Sequence, residues 1–208
     1  TMNIFQLSQG GLTLGQKDYY VNNDEATVAI REAFKKYIAD MFKLYGFSAE
    51  QAEEKAQAVF QHETMLALIS KSATELRNPQ ANYNKMTLKE FQSSYPNLHL
   101  EEMCNAEGIK SEFIQDMIVG QPAFMEGLDK ITAAESAATL KALMEWDVIT
   151  SSAAYLTDEI RECNFDFFGK TMSGRKEDYP LWKRAVNQVQ SQMGEPLGRM
   201  YCKRYFPE

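Results

Sequence analysis

The sequence predicts an all-α fold, a multi-helix bundle-like domain carrying short irregular or β segments. Three observations predict it. Apolar residues recur at helical spacing over long stretches, Ser/Thr-x-x-Glu/Gln strings stand where such stretches begin, and glycine or proline stands where they end.

Asp24 can cap a helix running to Gly46. Its apolar positions Ile30, Phe34, Tyr37, Ile38, Met41 and Tyr45 form one stripe of period 3.6. Gly46 accepts left-handed dihedrals and makes a good stop. Ser48-Ala49-Glu50-Gln51 reads as a capping box opening a second helix to about Ser70. So short a link predicts two antiparallel helices packed together. Asn78-Pro79 breaks the chain. Thr87 to Glu90 is another capping box, for a short helix that Pro96 ends, and Leu98 to Ala106 forms a further one.

Ile114 to Val119 reads as a brief strand or an irregular stretch. Pro122 sits near the start of a helix reaching Lys130. Thr132-Ala133-Ala134-Glu135 reads as a third capping box, opening an alanine-rich helix through Trp146 and on to about Tyr155. Leu156 to Phe168 begins helical and ends aromatic, and Met172-Ser173-Gly174 is a turn. Asp178-Tyr179-Pro180 opens a helix ending near Gly194, and Glu195-Pro196 opens the last, towards Tyr205.

Length and charge bound the function. A chain of 208 residues can bury a real core. A net charge of −7 and the lack of a basic stripe disfavour nucleic acid and anionic membrane as partners. The densest basic spots are only Lys183-Arg184 and Lys203-Arg204. No run of 18 apolar residues exists to span a membrane. No signal peptide is visible, although a chain beginning at Thr1 can lack its original front. Cys104, Cys163 and Cys202 are odd in number and widely spaced, which reads as three buried or half-buried thiols rather than a disulfide framework. One disulfide with a leftover thiol stays open.

His62-Glu63 invites a test for a gluzincin helix, because H-E-x-x-H puts two imidazoles on one face, able to grip one Zn²⁺. The fifth position here is Leu66, and the other histidine, His99, is far away in sequence. No catalytic, cofactor-binding or metal residue is therefore assigned. A nucleophile elbow and a phosphate loop are likewise missing. Glu101-Glu102 and Asp158-Glu159 read as solvated helix faces. Aromatic residues gather at Tyr19-Tyr20, Phe165, Phe167, Phe168, Tyr179, Trp182, Tyr201, Tyr205 and Phe206. They read as core between helices, the functional alternative being the apolar wall of a peptide-accepting cavity.

Strings along the whole chain resemble the N-terminal region of the neprilysin-like zinc metalloendopeptidases, bacterial oligopeptidases included. Gln9-Gly10-Gly11-Leu12 with Lys17-Asp18-Tyr19-Tyr20 is similar to the family's "GLGLPDRDYY", with Thr13 replacing a Gly and Gly15-Gln16 replacing Pro-Asp. Arg31, Tyr37-Ile38 and Leu44-Tyr45-Gly46 follow. Arg77-Asn78-Pro79 and Tyr83-Asn84-Lys85-Met86-Thr87 resemble "R-[DN]-P…YNKMT". Asn164-Phe165-Asp166-Phe167, Gly169-Lys170, Ser173-Gly174, Trp182-Lys183-Arg184, Leu197-Gly198-Arg199-Met200-Tyr201 and Tyr205-Phe206-Pro207 continue in the family's order and spacing.

The resemblance implies that residues 1–208 are one helical domain, an internal part of the lid or cavity-wall region of a larger metallopeptidase. The family's N-A-Y-Y strand, H-E-x-x-H helix and E-x-x-x-D helix find no match here, so no catalytic or ligand residue carries over. Zinc is implied for the full-length parent and not for this piece. The implied partners are the catalytic domain of the same polypeptide and oligopeptide substrates. The compartment stays open, with a periplasmic or extracytoplasmic bacterial setting suggested. A stand-alone helical interaction domain is the rival reading, and a hydrolase using Cys163 or His62 a more distant one.

Overall fold

A computed structural model describes residues 3–206. Thr1 and Pro207, which figure in the sequence reading, lie outside the described residues. The described residues form ten α-helices, three short strands and an eight-residue π-helical stretch, as the all-α expectation requires.

Two long helices organise the molecule. Helix α1 is a single turn, Asp18–Val21; α2 spans Glu25–Tyr45 and α3 spans Ala49–Ile69. Asp24 caps α2 through Thr27 N–H, and Gly46 ends it at φ +114°. Ser48 and Gln51 form the full capping box of α3. Helix α2 buries Phe34, Tyr37, Ile38, Met41 and Phe42, while α3 offers Ala52, Ala56 and Val59. Small residues on one helix leave room for the rings of the other. The buried stripe bends towards Phe42 near its end, leaving Tyr45 exposed.

Helix α4 covers Leu88–Ser94, capped by the Thr87–Glu90 box, and α5 covers Leu100–Ala106. Helix α6 runs Pro122–Ala134 and α7 runs Ala137–Ser152. The capping box expected at Thr132 does not form: α6 continues past it, and Ser136 caps α7 through Thr139 N–H. The reason is tertiary, because Glu135 gives its carboxylate to His62 on α3 instead of the backbone at Thr132. Helix α8, Asp158–Asn164, passes directly into the π-helical stretch Phe165–Met172. Helices α9, Leu181–Gln192, and α10, Gly194–Tyr205, close the chain.

The strands are β1 Phe5–Leu7, β2 Lys85–Thr87 and β3 Asp116–Val119, in the order β1-β3-β2. Strand β1 pairs in parallel with β3, Phe5 opposite Met117, and β2 pairs antiparallel, Met86 opposite Met117. Of the two readings of 114–119, a brief strand or an irregular stretch, the structure has the strand, over Asp116–Val119.

Two hydrophobic cores result. One gathers α1, α2, α3, α7, α8 and the π-helical stretch around Phe34, Tyr37, Phe42, Trp146 and Phe167. Tyr37 and Phe167 stack at 4.7 Å and 7°. The other gathers the sheet and α4 to α6 around Phe91, Ile114, Met117, Val119 and Phe124. Helix α3 joins them, with Ala67 in the first core and Leu66 in the second, and Leu12 packs against both.

Candidate functional site

The residue pair that invited a zinc test is held by other partners. Glu63 is 3% exposed, and its carboxylate accepts from Thr13 N–H at 3.1 Å, Thr13 Oγ1–H at 2.6 Å and the Tyr20 hydroxyl. The Tyr20 oxygen in turn accepts from Leu14 N–H at 3.1 Å, and Trp146 Nε1–H reaches Thr13 Oγ1 at 3.3 Å. Burial raises the Glu63 carboxyl above its ordinary value, partly offset by the donors from Thr13 and Tyr20. Burial and the neighbouring Glu63 likewise push the Tyr20 hydroxyl far up.

His62 lies on the same helix with Nδ1 2.9 Å from Glu135 Oε1, a half-buried pair that fastens α3 to the α6–α7 joint. Leu66, one turn on, fills the second core. His99 stands apart at the start of α5, exposed and at φ +46°. No group of three or more His, Cys, Asp or Glu side chains is placed to hold a metal ion among the described residues. His62 and Glu63 are turned to Glu135 and to Thr13 and Tyr20, and with Leu66 at the next turn they do not form a zinc-gripping pair.

Further bonds fix the rest of residues 9–20 beside the Glu63 network. Gln9 donates its Nε2–H to Lys71 O at 2.9 Å and accepts from Lys71 N–H at 2.8 Å, while its own N–H reaches Gln121 Oε1 at 2.8 Å. Gly11, at φ +82°, lets the strap pass Leu66, since a Cβ there would stand 2.9 Å from Leu66 Cδ1. Lys17 Nζ donates to Ser70 O at 2.7 Å at the end of α3. Residues 9–20 thus tie the two cores together.

The thiols divide. Cys104 is buried and Cys163 half-buried, with burial pushing Cys163 up to about 11. Cys202 is exposed on α10, which corrects the expectation of three sheltered thiols. The aromatic cluster also divides. Tyr20 and Phe167 are core, with Tyr19 and Phe168 packed against it, but Tyr179, Trp182, Tyr201, Tyr205 and Phe206 are exposed. Reading these last five as core does not hold.

Helices α9 and α10 bury no residue at all. Trp182, Val186, Val189 and Met193 follow helical spacing, continued by Leu197, Tyr201 and Tyr205, and every one is exposed. Trp182 is 67% exposed and Met200 70%. An apolar stripe of this length on water is unusual for a finished surface. Periodicity alone could find the stripe, but only the fold shows that nothing in residues 3–206 covers it. Between α9 and the π-helical stretch lies a cleft of about 720 Å³, lined by Arg161, Arg175, Arg184, Asp178, Tyr155 and Phe165 among others.

Comparison with known proteins places this architecture. Residues 1–208 match the family model described as Peptidase family M13. Human endothelin-converting enzyme 1 is 24% identical over 209 residues, covering 99% of this chain and 27% of that protein. Neprilysin-2 of Drosophila melanogaster is 27% identical over 220 residues, covering 99% of this chain and 28% of that protein. The crystal structure of the Mycobacterium tuberculosis zinc metalloprotease Zmp1 in complex with an inhibitor superposes with a TM-score of 0.92 at 27% identity, covering 97% of this chain and 30% of that one. The chain thus spans less than a third of the length of these relatives.

Proposed function

Because the chain belongs to peptidase family M13, the neprilysin-like zinc metallopeptidases, we propose that residues 1–208 act as one non-catalytic helical unit of a zinc metalloendopeptidase. In this reading the unit forms a wall of the peptide-binding cavity and limits which substrates enter by size. Zinc would be held by another part of the polypeptide, where it would polarise the scissile carbonyl and activate water. The helical unit would contribute enclosure and exclusion of bulk water.

The observation that carries the reading is the uncovered apolar stripe on α9 and α10. A unit built to stand alone would turn that stripe inward, because each large apolar side chain left on water forgoes about 1.5–3 kcal/mol. The catalytic domain of the same polypeptide is the natural cover, and oligopeptides are the proposed substrates.

Zinc content and peptide hydrolysis, measured side by side, test this. The 208-residue chain should carry no stoichiometric zinc and leave a graded set of peptides intact. The entire polypeptide should bind zinc and cut short peptides while sparing folded proteins. Zinc-dependent turnover by the 208-residue chain would refute the reading. The rival, a stand-alone interaction domain, gains if the gene ends at Glu208.

A further inference from the structure

We propose that the cleft between α9 and the π-helical stretch is a binding site for a carboxylate group, with Arg184 as its principal contact. Three arginines and one aspartate are the charged residues of its lining, a local excess of positive charge on a chain whose net charge is −7. Asp178 already serves two of the three: Arg161 Nη1 lies 2.9 Å from Asp178 Oδ2, and Arg175 Nη2 lies 3.6 Å from Asp178 Oδ1. Arg161 also pairs with Asp158 at 3.0 Å. Arg175 is further held over the rings of Tyr179 and Phe165, at 4.2 and 5.1 Å from their centroids. Arg184 takes no part in these pairs among the described residues.

Its Nε is the one buried side-chain nitrogen or oxygen without a hydrogen-bond partner among the described residues. A buried N–H of a guanidinium without an acceptor is costly, more so than a neutral donor. That Nε is itself closed off, so an incoming anion would meet Arg184 through its Nη groups, where it compensates the guanidinium charge. The class follows from the geometry: Arg161 is met by Asp158, Glu162 and Asp178, and Arg175 by Asp178, which leaves Arg184 as the lining arginine without an acidic partner among the described residues. A planar monoanion with two oxygens matches the fork of N–H donors that Arg presents. Tyr155 and Phe165 supply apolar walls for the carbon skeleton that carries the carboxylate. Two sources share this chemistry: an acidic side chain from elsewhere in the polypeptide, and the carboxylate of a free peptide. The inference does not depend on the cavity-wall reading, because it needs only the cleft.

The test follows the Arg184 Nε–H signal in ¹⁵N-edited NMR of the 208-residue chain during titration with N-acetyl-L-leucine. A saturable shift is expected, absent with the neutral N-acetyl-L-leucinamide and much weaker with inorganic phosphate. Arg184→Gln should abolish binding. Arg184→Lys should weaken it about tenfold, because the charge stays and the fork is lost. Both variants should keep the buried Trp146 Nε1–H signal, since α9 buries nothing. Loss of that signal in both would overturn the proposal, by making Arg184 a residue that holds the core. In the entire polypeptide, an Arg184 signal already shifted and unresponsive to the probe identifies an internal acidic side chain. A responsive one identifies a free carboxylate. No saturable shift in the 208-residue chain, or an equal response to the amide, contradicts the proposal.

Discussion

At Glu63 a carboxylate that is 3% exposed accepts from Thr13 and Tyr20 and so holds residues 12–20 against α3. Removing it strands a backbone N–H and two hydroxyls away from water. Glu63→Ala should therefore cost about 3 kcal/mol in urea unfolding. Tyr20→Phe leaves Leu14 N–H without its acceptor and should cost about 1–2 kcal/mol. The pH dependence has a definite sign. Burial raises the folded-state value of Glu63 above 4.5, so the folded state holds this proton more tightly than the unfolded one. Its contribution is fully present below 4.5 and is lost as pH rises through the folded value. The exposed Asp24, Glu75 and Glu90 are lowered instead by cap-type hydrogen bonds from Thr27, Ser72 and Thr87, and act below that window. Urea midpoints should fall on going up from pH 4.5, and Glu63→Gln should flatten that fall. The His62-Glu63 string could be rejected as a zinc helix from Leu66 alone. That Glu63 bonds to residue 13 instead was not legible, because the contact is made fifty residues away in sequence.

The elements vary in how plainly their limits are written. The starts of α2, α3 and α4 were legible because each is fixed by side chains within three residues of the first turn. The same pattern misled at Thr132, where a distant histidine captures Glu135. Ser136→Ala should cost about 1 kcal/mol in thermal or urea unfolding, whereas Thr132→Ala should be nearly neutral. The sheet was only partly legible. Strands of three and four residues are too short to show alternation, and β1 lies more than a hundred residues from the partner that makes it a strand. The π-helical stretch at Phe165–Met172 has no local signature either. It is held by tertiary stacking of Phe167 on Tyr37 and by the missing side chain at Gly169, where a Cβ would collide with the Phe165 ring. In the strap, Gly11→Ala should destabilise by about 1–2 kcal/mol, because φ +82° and the approach to Leu66 both exclude a side chain.

Over the whole molecule, the helical class and the order of the helices could be read from periodicity, while the division into two cores joined by α3 could not. Nor could it be read that the other described residues leave the stripe on α9 and α10 uncovered, since it has the same spacing as any buried one. Exposed in this way, the stripe should make the 208-residue chain self-associate. Light scattering should show dimers or larger species, and Trp182→Lys combined with Met200→Lys should restore the monomer without lowering the unfolding midpoint. Hydrogen–deuterium exchange over residues 181–206 is the most direct measurement, compared between the 208-residue chain and the entire polypeptide. If the remainder of the polypeptide covers the stripe, exchange there should slow by at least about tenfold in the entire polypeptide, while residues 34–42 of α2 stay equally protected in both. Equal exchange over residues 181–206 in the two would contradict the account.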